Sequence, residues 1–296
     1  MTLYSGSTNQ TKDIFKKQAE LQIRIHALEK GMSIGHVRVG FGKEKAFSII
    51  EDLEDLLKKG GAKPFVVESV SVLQKYIEFN GNMGADMVDV GTALNRLCSL
   101  YNIKINDVGG IYNLNLKDIS SKIQCSFDSF SQSRFSIRDF GDSPLEKVCA
   151  ALKLCERTPS ACNRQSWRVH VYTENNLVAK MFELQGGSKG FNKQMQCAIL
   201  VCGDLRNYGF YEQNLPFVDG GLYAMNLLYS LHYYGLATIP LTMGHKWRIT
   251  KKIKQEMRIP SYEVPVLLIG VGTFKDDYKV AVSHRYMYKD YVKFNQ

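Results

Sequence analysis

Two unbroken apolar runs, residues 198–203 and 265–272, limit most strongly what this chain can fold into. Each has the length of a strand and shows no polar alternation, so both read as strands buried on both faces. Trp167–Tyr172 reads as a further strand, and Ile249, Ile253 and Met257 mark one face of an amphipathic helix that stops before Pro260. The earlier part of the chain has a different texture. Ile14, Phe15, Ala19, Ile23 and Leu28 recur at helical spacing within residues 12–31. Ala46, Ile49, Ile50, Leu53, Leu56 and Leu57 do the same within residues 43–59, where Gly60 and Gly61 supply a stop. Residues 66–79 and 84–101 read as two more helices, with Asn80 and Gly81 as the turn between them. The Ser-rich stretch 120–133 is the expected linker. The chain is thus expected to divide into a helical N-terminal part, residues 1–125, and a mixed part, residues 126–296.

Chemistry-bearing residues gather at the start of the mixed part. Arg134, Ser136 and Arg138 occupy alternate positions, so an extended backbone points all three to one side. Two guanidiniums and a hydroxyl converging there suit a phosphate, whose oxygens Arg binds bidentately. A solvated strand edge is the plainer reading of the same three residues. A helix is expected next, with Ser143 as N-cap, Pro144 at its first position and Glu146 closing a capping box. Leu145, Val148, Leu152 and Cys155 would form its buried face. Pro159, Ser160 and Ala161 then turn the chain through Asn163 and Gln165 into the strand at Trp167.

Arg-x-Ser-x-Arg-x-Phe, a helix, and then Pro-Ser-Ala-x-Asn-x-Gln-x-Trp together resemble the opening of the nitroreductase-like flavoproteins. The resemblance covers residues 126–296. It implies an α+β fold with a central, mostly antiparallel sheet flanked by helices, here preceded by an N-terminal helical extension. It also implies an intertwined homodimer with FMN at its interface, NADH or NADPH as electron donor, and a small-molecule acceptor reduced in two half-reactions through flavin N5. By the same resemblance Arg134, Arg138 and Arg285 neutralise the FMN phosphate, while Ser136 and Ser283 add hydrogen bonds. Pro159, Ser160, Ala161, Asn163 and Gln165 approach the flavin from the partner subunit, and the backbone of Leu241, Thr242 and Met243 passes N5. Residues 217–228 are similar to the family's long central helix at the dimer interface. Three positions depart from the pattern. Ser166 replaces the usual Pro, Thr242 stands where one branch has Glu, and Ser283 replaces a Lys of the phosphate clamp. No side chain is assigned as general acid or base, and His245, just past the N5 segment, is read as structural. Two other readings stay open: a non-catalytic scaffold or binding protein of the same fold, and a flavin enzyme with different chemistry.

A hydrophobic content of 45% with 23% charged residues places the chain among ordinary folded proteins. The net charge of +9 is dispersed, and no zinc-finger spacing or RNA-binding aromatic signature accompanies it, so nucleic acid is not an expected partner. An anionic cofactor or acidic substrate accounts for the charge equally well. No window approaches the apolar length of a membrane helix and no leader-like segment opens the sequence, so a cytoplasmic protein without membrane association is expected. The cysteines include no Cys-x-x-Cys pair. Cys149, Cys155, Cys197 and Cys202 fall in apolar runs and read as reduced core thiols, with no metal role expected. Gly40, Phe41, Gly42 and Lys43 imitate a phosphate loop, but Phe41 stands where Lys is required, so the glycines read as turn formers.

Residues 26–31 and 40–42 resemble the N-terminal region of nitroreductase-like proteins encoded in bacterial surface-polysaccharide clusters, a lead toward polysaccharide biosynthesis. The interval between Gly203 and Phe217 is too short for an inserted helical lid. The N-terminal helices are therefore expected to cover the flavin or extend the dimer, with Arg24, His26, Glu29, Lys30 and Arg38 as candidate substrate contacts. Plain capping and solvation of helices account for the same five residues.

Overall fold

In the computed structural model, residues 14–32, 37–106, 109–111, 126–141, 145–188, 191–276 and 287–295 are described, apart from the side chains of Lys30 and Asp290. Four helices come first: α1 (Ile14–Met32), α2 (Lys43–Lys58), α3 (Lys63–Asn82) and α4 (Val88–Tyr101). Two short helices, α5 (Phe127–Ser133) and α6 (Val148–Leu154), precede β1 (Trp167–Tyr172) and α7 (Asn175–Gln185). The rest comprises β2 (Cys197–Asp204), α8 (Leu215–Tyr233), β3 (Leu236–Thr242), α9 (Trp247–Glu256), β4 (Glu263–Thr273) and α10 (Tyr288–Tyr291). No helix among the described residues is long and apolar enough to cross a membrane.

The helices of the N-terminal part share one core, built from Leu21, Ile25, Leu53, Leu73, Tyr76 and Leu94 among others. On α2 the helical spacing translates directly into burial, at Ala46, Ile49, Ile50, Leu53 and Leu56. On α1 the buried face is Leu21, Ile25, Leu28 and Met32, while Phe15 is half exposed. Asn80 and Gly81 do not form a turn; they lie in the last turn of α3. Asn80 is fully buried, and its amide serves two segments at once. It donates to the Tyr76 carbonyl and accepts from the Gly40 N–H, at 3.0 Å each. Gly40 and Gly42 both take left-handed backbone, φ 71° and 70°, as turn formers must.

The sheet has the order β1-β2-β4-β3, and every pair is antiparallel. Strand β2 is buried along its whole length because helices cover both faces. Ala198, Leu200 and Cys202 pack with Val178, Met181 and Phe182 of α7 and Ile253 of α9. Cys197, Ile199 and Val201 pack with Ala224, Leu227 and Leu228 of α8. The architecture is the α+β arrangement expected, an antiparallel sheet flanked by helices with a helical region ahead of it.

Several local expectations are corrected. The described end of the supposed linker is helix α5, held because Phe127 and Phe130 pack on Tyr229 and His232 of α8. Residues 145–147 are not helical, since Lys147 has φ 62° and the helix begins only at Val148. Glu146 therefore closes no capping box, and Ser143 and Pro144 lie outside the described residues. Cys155, Cys197 and Cys202 are buried, whereas Cys149 is exposed.

Candidate functional site

The turn that leads into β1 is strained. Cys162, Asn163 and Gln165 all have positive φ, at 52°, 54° and 47°. Asn tolerates this region, but Cys and Gln gain nothing from it, so the surrounding structure must hold them there. Asp219 of α8, 1% exposed, is the main clasp. Its Oδ1 accepts the Ala161 N–H at 3.0 Å, and its Oδ2 accepts the Tyr208 hydroxyl at 2.9 Å and the Ser166 hydroxyl at 3.2 Å. Arg164 is the second clasp. Its side chain is 1% exposed and pairs bidentately with Glu212, at 2.8 Å for both contacts. It also donates to the carbonyls of Ala161 and Asn207 and lies over the Tyr208 ring. Burial pushes the Glu212 carboxyl up, but the Arg164 guanidinium outweighs it and holds the group below its ordinary value. The Tyr208 phenol is pushed up, chiefly by burial.

Within the turn, Ser160 Oγ accepts the Gln165 N–H at 2.9 Å, and Asn226 of α8 donates to Thr158 Oγ1 at 2.7 Å. Ser166 is fully buried, and its hydroxyl contacts both Tyr208 and Asp219. The departure from Pro at this position thus supplies one polar partner of the clasp. Asp219 lies inside α8 and spends its carboxylate on the turn.

The turn forms one wall of a cleft of about 600 Å³, to which Ser160, Asn163 and Gln165 contribute. His26 and Glu29 of α1, with Glu68 and Lys75 of α3, line the opposite wall. His26 Nδ1 is 3.1 Å from Glu29 Oε2, and Glu29 Oε1 accepts the Gly110 N–H at 3.1 Å. Burial, with a further push from Glu29, raises the Glu68 carboxyl above its ordinary value. Outside the cleft lining, Arg206 joins the helical part to the mixed part, its guanidinium lying over the rings of Phe15 and Tyr262. Of the candidate substrate contacts, His26 and Glu29 reach the cleft. Arg24 instead bonds Ser48 and Asp52 inside the bundle, Arg38 is exposed elsewhere, and the Lys30 side chain lies outside the described residues.

Residues 134–138 form a second region. They run beside β3, where the Ile137 N–H donates to the Thr238 carbonyl at 2.9 Å. Ile137 is buried at 1% exposure, while Arg134 and Ser136 on the alternate positions are half-buried and Arg138 is exposed. Arg134 Nη1 is buried without a hydrogen-bond partner among the described residues. Burial, and then the Arg134 charge, holds the neighbouring His232 imidazole below its ordinary value. The end of β3 brings Leu241 and Thr242, followed by Met243, along the same edge. Gln185 Nε2 donates to the Thr242 carbonyl at 3.0 Å, and Thr242 Oγ1 accepts the Gly244 N–H at 3.2 Å. Ser188 Oγ and His245 Nε2 are also buried with no partner among the described residues. Ser283 and Arg285 lie outside the described residues. Within one chain, no hydrogen bond or ion pair among the described residues joins 134–138 to the turn at 159–165.

No family model and no curated protein matches the sequence. Solved structures resemble part of it. A nitroreductase family protein from Streptococcus pneumoniae is 20% identical with a TM-score of 0.49, and the match covers 57% of this chain and 100% of that one. An FMN-dependent nitroreductase from Clostridium difficile R20291 is 22% identical with a TM-score of 0.48, covering 56% and 98%. A nitroreductase family protein from Clostridium difficile 630 is 21% identical with a TM-score of 0.49, covering 58% and 99%.

Proposed function

We propose that the chain is a cytoplasmic, FMN-dependent oxidoreductase of nitroreductase-like type that uses NADH or NADPH to reduce a small organic acceptor. Residues 126–296 would form the flavin module and residues 1–125 its helical extension. The observation that carries this reading is Arg134 Nη1, a buried cationic donor with no acceptor, on an extended segment that also presents Ser136 and Arg138. Such an orphaned donor is costly to bury and suits an anionic oxygen, so the residues fit the phosphate of FMN.

Arg134, Arg138 and Arg285 would hold that phosphate, with hydrogen bonds from Ser136 and Ser283. The backbone of Leu241, Thr242 and Met243 would border the ring. Bound FMN would supply two-electron chemistry in two half-reactions, taking hydride at N5 and passing electrons on to the acceptor. The clasped turn at Pro159, Ser160, Ala161, Asn163 and Gln165 would meet the flavin of a partner subunit, which accords with its separation from residues 134–138 within one chain. The apolar outer stripe of α8, where Val218, Leu222 and Met225 are 51%, 45% and 39% exposed, supports a homodimer interface along that helix. The acceptor would enter the cleft between the turn and α1, and the N-terminal resemblance directs a screen toward intermediates of surface-polysaccharide biosynthesis.

The test is the visible spectrum of purified protein, followed by NADH and NADPH added separately without oxygen. Flavin bands that bleach are the expected result. Bands that persist would point to other flavin chemistry, and a colourless protein that refuses added FMN would leave the scaffold reading. Arg134→Ala should weaken FMN binding about tenfold to a hundredfold, read by fluorescence titration, since a charge-assisted hydrogen bond contributes about 1.5–3 kcal/mol.

A further inference from the structure

His170 of β1, Cys202 of β2 and Glu263 of β4 meet on one face of the sheet, apart from the clasped turn and the Arg134 region. His170 pairs in register with Leu200, and Arg168 pairs with Cys202, so His170 and Cys202 are diagonal neighbours on the face covered by α7 and α9. Glu263 reaches that face through an irregularity in β4. Leu268 points to the α7 and α9 side and Ile269 to the α8 side, so unbroken alternation would send Glu263 with Ile269. The register slips between the pairs Val201–Leu267 and Cys202–Pro265, which adds one residue to β4 and returns Glu263 to the side of Cys202. His170 Nε2 is then 2.6 Å from Glu263 Oε2, and one ligand atom from each of the three residues lies within 4.8 Å of the other two.

We propose that His170, Cys202 and Glu263 bind a divalent transition-metal ion, zinc by the character of the donors. One imidazole nitrogen, one thiolate and one carboxylate oxygen form a mixed set that zinc accepts in tetrahedral geometry, with a fourth position for water. Neighbouring ligand atoms of such a tetrahedron stand roughly 3.3–3.7 Å apart. The three ligand atoms here already lie within 4.8 Å of one another, and the His170–Glu263 pair at 2.6 Å would open slightly to admit the ion. Binding replaces the His170–Glu263 hydrogen bond and releases the Cys202 thiol proton to solvent, so thiolate and carboxylate balance the two positive charges. Burial argues the same way. Cys202 is 0% and Glu263 5% exposed, and a buried carboxylate needs a charged partner to offset its lost hydration. The nearby Lys254 ammonium donates to the Ser261 carbonyl at 2.7 Å. The Tyr172 ring lies nearly parallel to the His170 ring on the same face of β1, 6.4 Å away between centroids.

The experiment is a cobalt(II) titration of the full-length protein after removal of metals with a chelator. The expected result is thiolate-to-cobalt charge transfer with tetrahedral d–d bands, saturating at one equivalent and erased by zinc, and a higher melting temperature with zinc. Cys202→Ser should abolish the charge-transfer band. His170→Gln, which keeps a hydrogen-bond donor for Glu263 and so preserves the fold, should lose both the band and the melting shift. No band, or a band of full strength in either variant, would overturn the proposal and leave a hydrogen-bonded cluster. Neither readout depends on flavin or on activity.

Discussion

Asp219 shows how one carboxylate can set the geometry of a whole turn. It accepts from Ala161, Ser166 and Tyr208, and the Ser166 and Tyr208 hydroxyls are both buried. Asp219→Ala should cost about 3 kcal/mol in denaturant unfolding, because it removes the acceptor of two buried hydroxyls and of a backbone N–H at once. Asp219→Asn, which keeps one acceptor oxygen, should cost less. Glu68 presents the opposite case. Burial and Glu29 raise its carboxyl above the ordinary value, so the folded state resists its ionisation. A raised carboxyl favours folding at acid pH, and that contribution fades as pH rises through the folded-state value. Glu68→Gln should therefore stabilise the protein at pH 7, with the gain vanishing as pH falls below the ordinary carboxylate range. Equal stability of the two proteins at every pH would refute it. Ser160, Asn163 and Gln165 are visible as a motif, but the residues that hold them, Arg164, Glu212, Tyr208 and Asp219, are not. The clasp is assembled from separate segments, so no local pattern in the sequence marks it.

Helices α1 and α2 are joined by a charged seam. Lys17 pairs with Asp52 at 3.1 Å and with Asp55, and Arg24 pairs with Asp52. Hydrogen bonds from Lys17 and Lys59 lower the Asp55 carboxyl from 3.8 to about 2. A depressed carboxylate contributes stability above its unfolded value and loses it as pH falls through the folded one. The seam should thus weaken on acidification from 3.8 toward about 2, and denaturant midpoints across that range should show it. Lys17→Met should flatten the dependence. These pairs are partly exposed, so high salt should shrink the effect. Element faces were legible where apolar spacing alone determines burial, as on α2. On α1 the true face, Leu21, Ile25 and Leu28, competes with Ile14, Phe15 and Ile23, and packing against the neighbouring helices decided between them. Helix α7 carries its own signal in Val178, Met181 and Phe182, which are all buried.

Helix α8 organises the whole molecule, since it covers one face of the sheet, clasps the turn and presents an apolar outer stripe. If the protein is a homodimer with flavin at its interface, Leu222→Asp with Met225→Asp should give a monomer by sedimentation that also loses FMN. A dimeric double variant with intact flavin would place the interface elsewhere.

The amino-acid sequence by itself determined the division of texture, the two buried central strands, the helical face of α2 and the turn role of Gly40 and Gly42. Periodicity and backbone permissiveness act within one segment, so they can be read along the chain. Tertiary structure alone decided the Asp219 and Arg164 clasps, the cleft between α1 and the turn, and the meeting of His170, Cys202 and Glu263. The last case makes the reason plain. One extra residue opposite Cys202, where Pro265 has no N–H to continue the ladder, reverses which face Glu263 occupies.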